Sequence, residues 1–354
     1  MAILIFIVVL VVLVLAHEAG HFFTAKGFGI KVEEFGFGFP PRVAGIKKGE
    51  TLYSFNILPL GGFVRIFGEE GGERSDQRSF GSKSAWQRSV VLLAGVAANI
   101  VLAFLIFSVV SVIGTPKVIL EEEVSMYPSA RITIVEVSSN SPAYEGGIQM
   151  GDKVKSVNQI VPESLEELQN IIKENSGKSA EIVLERNGDV LTKKVVPRAK
   201  PPEGEGPLGV SLSWTVVEKS TWYKVPIEGA KITWNTLAGT ILGFSSAIKN
   251  LVVGERQNIQ ITGPVGIFNI TKGVSSTGLN MLLMLVGVLS VNLAVLNTIP
   301  FPGLDGGRFL FVILESIRKK PISPKVGAIY HGIGLAILII LMVLITIRDI
   351  SKIF

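Results

Sequence analysis

His17-Glu18-Ala19-Gly20-His21 is the stretch of this 354-residue chain best equipped for chemistry. On a helix, side chains four residues apart lie one above the other on one face, so both imidazoles can reach a single metal ion. Glu18 lies between them in sequence and is left as an acid–base group beside that metal. Met1 to Ala16 is apolar throughout. The cluster therefore stands near the end of a helix suited to a bilayer, where ionisable groups are costly and mark functional sites. The chain has three His, two of them here, and no Cys. Any metal must then be held by His, Asp or Glu, and disulfides are excluded.

A second reactive stretch lies near the other end. The apolar run Leu279 to Ile299 ends in Asn297-Thr-Ile-Pro300-Phe-Pro302-Gly-Leu-Asp305-Gly306-Gly307. Two Pro and three Gly break a helix there at membrane depth, which is tolerated only against protein or a cavity. A carboxylate in such a break is either a ligand or a helix cap. His331 stands alone near the start of the last apolar run and reads as structural.

These groups must be positioned by membrane helices. Hydrophobic residues make up 48% of the chain and the mean hydropathy is +0.48, the composition of a membrane protein. The net charge is only +5 and the basic residues are dispersed, which argues against a nucleic-acid partner. Four spans are expected, over Ala2 to Ala25, Val90 to Ile113, Leu279 to Ile299 and Val326 to Ile347. The fold class is thus an α-helical polytopic membrane protein. The first span lacks a basic leading region and a small-x-small cleavage site, so it reads as retained. Ten Lys and Arg lie from Lys26 to Arg88, Arg74 among them, and Arg318-Lys-Lys320 and Lys325 precede the last span. By the positive-inside rule those segments are cytoplasmic. Both termini and the segment between spans two and three are then extracytoplasmic, and His17 and His21 sit toward the cytoplasmic side.

Between spans one and two, residues 34–67 carry Phe35-Gly-Phe-Gly-Phe39, Leu52-Tyr-Ser-Phe-Asn-Ile57 and Leu60-Gly-Gly-Phe-Val-Arg65. β-prone runs broken by Gly and Pro predict a membrane-associated β-hairpin element. It is either an edge for an extended peptide or a structural cap. In span two, Ala94-Gly-Val-Ala-Ala98 allows another backbone to approach closely. Asn99 beside it needs a partner, and a neighbouring helix is preferred over substrate.

From Lys117 the composition turns soluble. Strands are predicted at Ile132 to Val137 and Gly151 to Asn158, an amphipathic helix at Leu165 to Asn175, and a hairpin of Ala180 to Arg186 with Leu191 to Val196 over Asn187-Gly188. This order resembles a circularly permuted bacterial PDZ domain, with Leu208-Gly209-Val210 as its ligand loop. Ile227, Ala230, Trp234, Leu237, Ile241, Phe244, Ile248 and Leu251 form one apolar stripe. Asn235, Ser245 and Lys249 interrupt the segment, which predicts a helix lying on the membrane surface. The expected organisation is spans one and two with the hairpin in 1–116, the PDZ domain in 117–215, the surface helix and connector in 216–275, and spans three and four in 276–354.

H-E-x-x-H in the first span together with N-x-x-P-x-x-x-x-D-G at the end of the third resembles the site-2 protease family of intramembrane zinc metalloproteases. The likeness is to its bacterial regulator of sigma-E protease branch and takes in Thr262-Gly-Pro-Val-Gly-Ile267. It implies that His17, His21 and Asp305 hold Zn2+, that Glu18 is the general base, and that Asn292 and Asn297 handle the substrate backbone. It further implies a bacterial inner-membrane protein in contact with lipid. Its substrates would be single-span membrane proteins, such as anti-sigma factors or signal-peptide remnants, already trimmed by another protease. Two departures stand out: Ala94-Gly95-Val96 where relatives often read Ala-Gly-Pro, and one PDZ domain where some carry two. Two other readings stay open. One is a membrane-anchored PDZ scaffold without catalysis. The other is a multi-span zincin that processes prenylated tails and takes its third ligand from a downstream Glu.

Overall fold

In the computed structural model of the chain, the described residues are 1–69, 75–138, 140–202, 204–253, 263–275 and 277–351. Arg74 and Thr262 lie outside them. Helix α1 (Ala2–Gly27) is the apolar N-terminal run. It stops where Gly29 takes a left-handed conformation (φ 67°), which lets the Ile30 N–H reach Ala25 O at 2.9 Å. Strands β1 (Val32–Lys48) and β2 (Thr51–Ile66) follow. Helix α2 (Ala85–Ile113) begins on a capping box, with Gln87 N–H donating to Ser84 Oγ at 3.3 Å and Ser84 N–H donating to Gln87 Oε1 at 3.2 Å. Then come β3 (Thr115–Ile119), β4 (Arg131–Val137), the single turn α3 (Pro142–Glu145), β5 (Lys153–Val157), α4 (Leu165–Glu174), β6 (Ala180–Arg186), β7 (Asp189–Val195) and β8 (Val210–Glu218). Five helices follow among the described residues: α5 (Val225–Val253), α6 (Pro264–Ser275), α7 (Leu279–Thr298), α8 (Asp305–Arg318) and α9 (Pro324–Ser351).

Among the described residues four helices, α1, α2, α7 and α9, are long and apolar enough to cross a membrane. This is a multi-pass membrane protein. The chain forms two compact units, one of Met1–Ser108, Ile227–Asn269 and Val286–Phe354, the other of Val109–Pro226 and Ile270–Leu285.

The first unit holds most of the long helices and the hairpin. β1 is bent and pairs twice, because Glu34 to Phe37 lie between Leu52 to Phe55 on one side and Gly62 to Arg65 on the other. Four segments result, and the one from Gly62 to Ile66 forms an edge beside α1. Glu34 is buried within this sheet, where Arg42 Nη2 lies 3.3 Å from Oε1 and Arg65 Nη1 lies 3.5 Å from Oε2. Ala25, Ile30, Val32, Ile66, Val91 and Val312 make a core that joins α1, the hairpin, α2 and α8. At the other end of the helices, Phe6 of α1 packs edge-on to Phe268 of α6, and Asp349 of α9 accepts from Gly263 and Gly266 N–H at 2.9 and 2.8 Å. The start of α1 and the end of α9 therefore meet the same short helix and share one level. α5 packs along α2, where Gly229 faces Ser108, and along α7, where Thr240 Oγ1 donates to Asn292 Oδ1 at 2.9 Å.

The second unit is built on an antiparallel sheet in the order β3-β8-β4-β5-β6-β7. Leu168, Ile171 and Ile172 bury one face of α4 in its core with Val157, Ile182 and Leu184. The strand expected from Gly151 to Asn158 is shorter, because left-handed Gly151 (φ 90°) and Asn158 (φ 49°) turn the chain at both ends. Asp152 beside it is fully buried and accepts from Arg186 Nε and Nη2 at 2.6 and 2.7 Å. β3 pairs with β8 from Thr115 opposite Glu218 to Ile119 opposite Trp214, so the two chain ends of the sheet lie side by side.

Candidate metal centre

One helix turn in α1 and the first residue of α8 supply the converging groups. His17 and His21 lie one turn apart, their rings edge-on with centroids 4.8 Å apart. Their Nε2 atoms are 3.2 Å apart and lie 3.0 and 3.2 Å from Asp305 Oδ2. Both His are only 7% exposed. Among the described residues this is the one cluster of three His, Asp or Glu with donor atoms close enough to share an ion. Ligands about 2.1 Å from a tetrahedral zinc lie about 3.4 Å from one another, so two imidazoles and a carboxylate at these spacings fit that metal. His21 is further committed, because its Nδ1–H donates to Val91 O at 2.8 Å and leaves a lone pair on Nε2.

Small residues make the convergence possible. A Cβ on Gly20 would meet Ala94 O and lie 2.9 Å from Ala98 Cβ, and one on Gly95 would lie 2.7 Å from His17 Cε1. The patch at Ala94 to Ala98 is thus where α1 and α2 touch. Asn99, one turn on, is fully buried with its amide 3.4 Å from His17 Nδ1, and its backbone O accepts from Ser290 Oγ of α7 at 2.8 Å. Its partner is a neighbouring helix, as expected from the sequence.

Asp305 is held by the turn before it. Cβ atoms on Gly306 and Gly307 would collide with the carbonyls of Thr298, Ile299 and Phe301, so the start of α8 is folded tightly onto the end of α7. Gly303 (φ 92°) donates its N–H to His331 Nδ1 at 3.2 Å, and Gly334 packs on Pro302. His331 supports the turn and is not in the cluster. Glu18 lies on the hairpin side of α1, where a Cβ on Gly62 would fall 3.2 Å from its Cγ and 2.7 Å from Val14 Cγ1.

The other expected site residues each have a setting of their own. Asn292 accepts from Thr240, and Asn297 is half-buried near the end of α7. Leu208-Gly209-Val210 forms the turn into β8, with Leu208 in the core of the second unit and Gly209 left-handed (φ 69°) against Ser141. The cavity beside Leu208, Val210 and Leu212 measures about 10 Å³. Val91 O, Gly20 and Gly334 escaped sequence reasoning; only the spacing of small residues pointed toward the first helix crossing.

The sequence profile of peptidase family M50 matches residues 5–341. A Clostridium perfringens protein whose description proposes a zinc metalloprotease is 37% identical over 96% of this chain and 95% of its own. The zinc metalloprotease RasP of Geobacillus kaustophilus is 30% identical over 99% of this chain and 97% of its own. The regulator of sigma-W protease RasP of Bacillus subtilis is 28% identical over 99% and 98%. With that profile spanning nearly its whole length and relatives aligned end to end, the chain belongs to peptidase family M50, the site-2 protease family.

Proposed function

We propose that this chain is an intramembrane zinc endopeptidase that cuts peptide bonds within the membrane segments of single-span proteins. The observation that carries the reading is the convergence of His17, His21 and Asp305 at 3.0 to 3.2 Å in apolar surroundings, with Glu18 on the same helix turn. His17 and His21, through Nε2, and the Asp305 carboxylate would hold Zn2+. When bound there, zinc acts as a Lewis acid that polarises a carbonyl and makes water more acidic at neutral pH. Glu18 takes the proton of the attacking water and passes it to the leaving amine. A substrate helix satisfies its own backbone, so it must unwind before a carbonyl is reachable, and helix-breaking residues lower that cost. The edge from Gly62 to Ile66 can hold the unwound segment as an added strand, and Asn292 and Asn297 offer amides to its backbone once Thr240 is displaced. Purified protein is expected to carry about one zinc per chain, and Asp305→Ala to lose both metal and cleavage. Zinc content by elemental analysis checks this, and a normal value in Asp305→Ala removes Asp305 from the site.

The enzyme sits in the bacterial inner membrane with its termini and the sheet of the second unit outside. Cysteines placed at Lys47 and Lys319 of this Cys-free chain are expected to stay unlabelled by an impermeant thiol reagent in intact cells, and one at Asn187 to be labelled. Labelling at Lys47 or Lys319 overturns the orientation.

The second unit acts as a PDZ domain that excludes by size more than it binds tails. The cavity beside the Leu208-Gly209-Val210 loop, about 10 Å³ and lined only by aliphatic side chains, is too small for a substrate side chain. Untrimmed single-span proteins would be refused, and those shortened by an earlier protease admitted. Because Thr115 and Glu218 are paired neighbours, residues 115–218 can be excised with little strain. That deletion is expected to admit untrimmed substrate while trimmed substrate is still cut. Loss of cleavage of trimmed substrate in the deletion makes the second unit a docking site instead.

A further inference from the structure

The two imidazoles of the cluster are not secured in the same way. Both present Nε2 to Asp305 Oδ2, so each ring must carry its proton on Nδ1 if Nε2 is to offer a metal its lone pair. His21 meets that condition through Val91 O, since a carbonyl can only accept. His17 Nδ1 faces the amide of Asn99 instead, 3.4 Å from Nδ2. An NH2 group in that place makes Nδ1 the acceptor, which moves the ring proton to Nε2 and blocks the metal. The same amide leaves Oδ1 buried with no partner. A half-turn of the amide exchanges the two atoms at no cost to an existing bond of the oxygen.

We propose that Asn99 is the positioning residue of His17: its amide oxygen accepts from His17 Nδ1–H and so presents Nε2 to the metal. This rests on the zinc reading above. The setting suits the role, because Asn99 is fully buried and its own backbone is pinned to α7 through Ser290, so water does not compete for Nδ1. Polar partners of this kind on a ligating His are worth about 10- to 100-fold in metal affinity. A purely mechanical role, in which Asn99 only joins α1 to α2, makes no demand on which ring nitrogen carries the proton.

The unaltered full-length protein tests this directly. With only three His, 15N-histidine spectra of the metal-free protein in detergent are simple, and His17 is identified by the signal missing in His17→Asn. The share of His17 carrying its proton on Nδ1 is expected to fall in Asn99→Leu, and an unchanged share overturns the proposal. Zinc is then titrated into apo protein against a chromogenic chelator. Asn99→Leu, which keeps the volume and removes the acceptor, is expected to bind about 10- to 100-fold more weakly. Asn99→Asp, which keeps an acceptor facing Nδ1, is expected to restore both affinity and tautomer. Unchanged affinity in Asn99→Leu, or equal losses in Leu and Asp, reduces Asn99 to helix packing and sinks the idea. If the unaltered protein binds no zinc, the metal reading fails, while the tautomer still decides whether Asn99 holds His17.

Discussion

Gly95→Ala is expected to empty the metal centre without unfolding the protein. A single methyl group there would meet His21 Nε2 and lie 2.7 Å from His17 Cε1 and 2.9 Å from His17 Nδ1. Ordinary carbon contacts need about 3.5 Å or more, so something must move by most of an ångström. Separating the helices to make room would undo the close approach of Gly20 to Ala94 and Ala98. The imidazoles are the softer party, and swinging them aside destroys their convergence on Asp305. Zinc affinity should fall by at least about 100-fold, the upper end for changes that leave the ligands themselves in place. Alanine is a good helix former, so α2 should persist. Chelator competition and circular dichroism together check this. Stoichiometric zinc in Gly95→Ala would mean that α1 and α2 lie further apart than described.

Glu18→Gln separates binding from chemistry. Glutamine has nearly the same shape, so the packing beside the Gly62 edge survives, and Glu18 is not among the clustered donor atoms. Zinc should therefore stay at wild-type content. Cleavage of a reconstituted membrane substrate should drop by about 10²- to 10⁴-fold, the usual worth of a general acid–base group. Metal loss in this variant would show that Glu18 is a ligand and that the roles have been misassigned.

Much of this architecture was legible because its signals are local. The i, i+4 His pair, the uncharged runs and the Asn187-Gly188 hairpin each declare themselves within a few residues. α7 starts at Leu279 as predicted, and β6 and β7 fall within two residues of expectation. What escaped depends on distant or backbone partners. Val91 supports His21 through a carbonyl, which every residue has and no letter announces. Asn99 was visibly in need of a partner, but its being His17, 82 residues earlier, depends on how α1 and α2 are rotated. α8 was missed because Phe309 to Leu314 is apolar without a break and hides the helical period. β8 alternates clearly at Val210, Leu212, Trp214 and Val216, yet it follows a run of Pro and Gly that reads as linker.

The cluster joins His21 to a partner 284 residues later. At about 5 to 20 residues per second of synthesis, roughly 15 to 60 s separate the emergence of the two His from that of Asp305. Throughout that interval the first helix would be without the carboxylate proposed as the third ligand. On the proposed ligand set, such a protease would be inert while it is being made and competent only once α8 has joined α1.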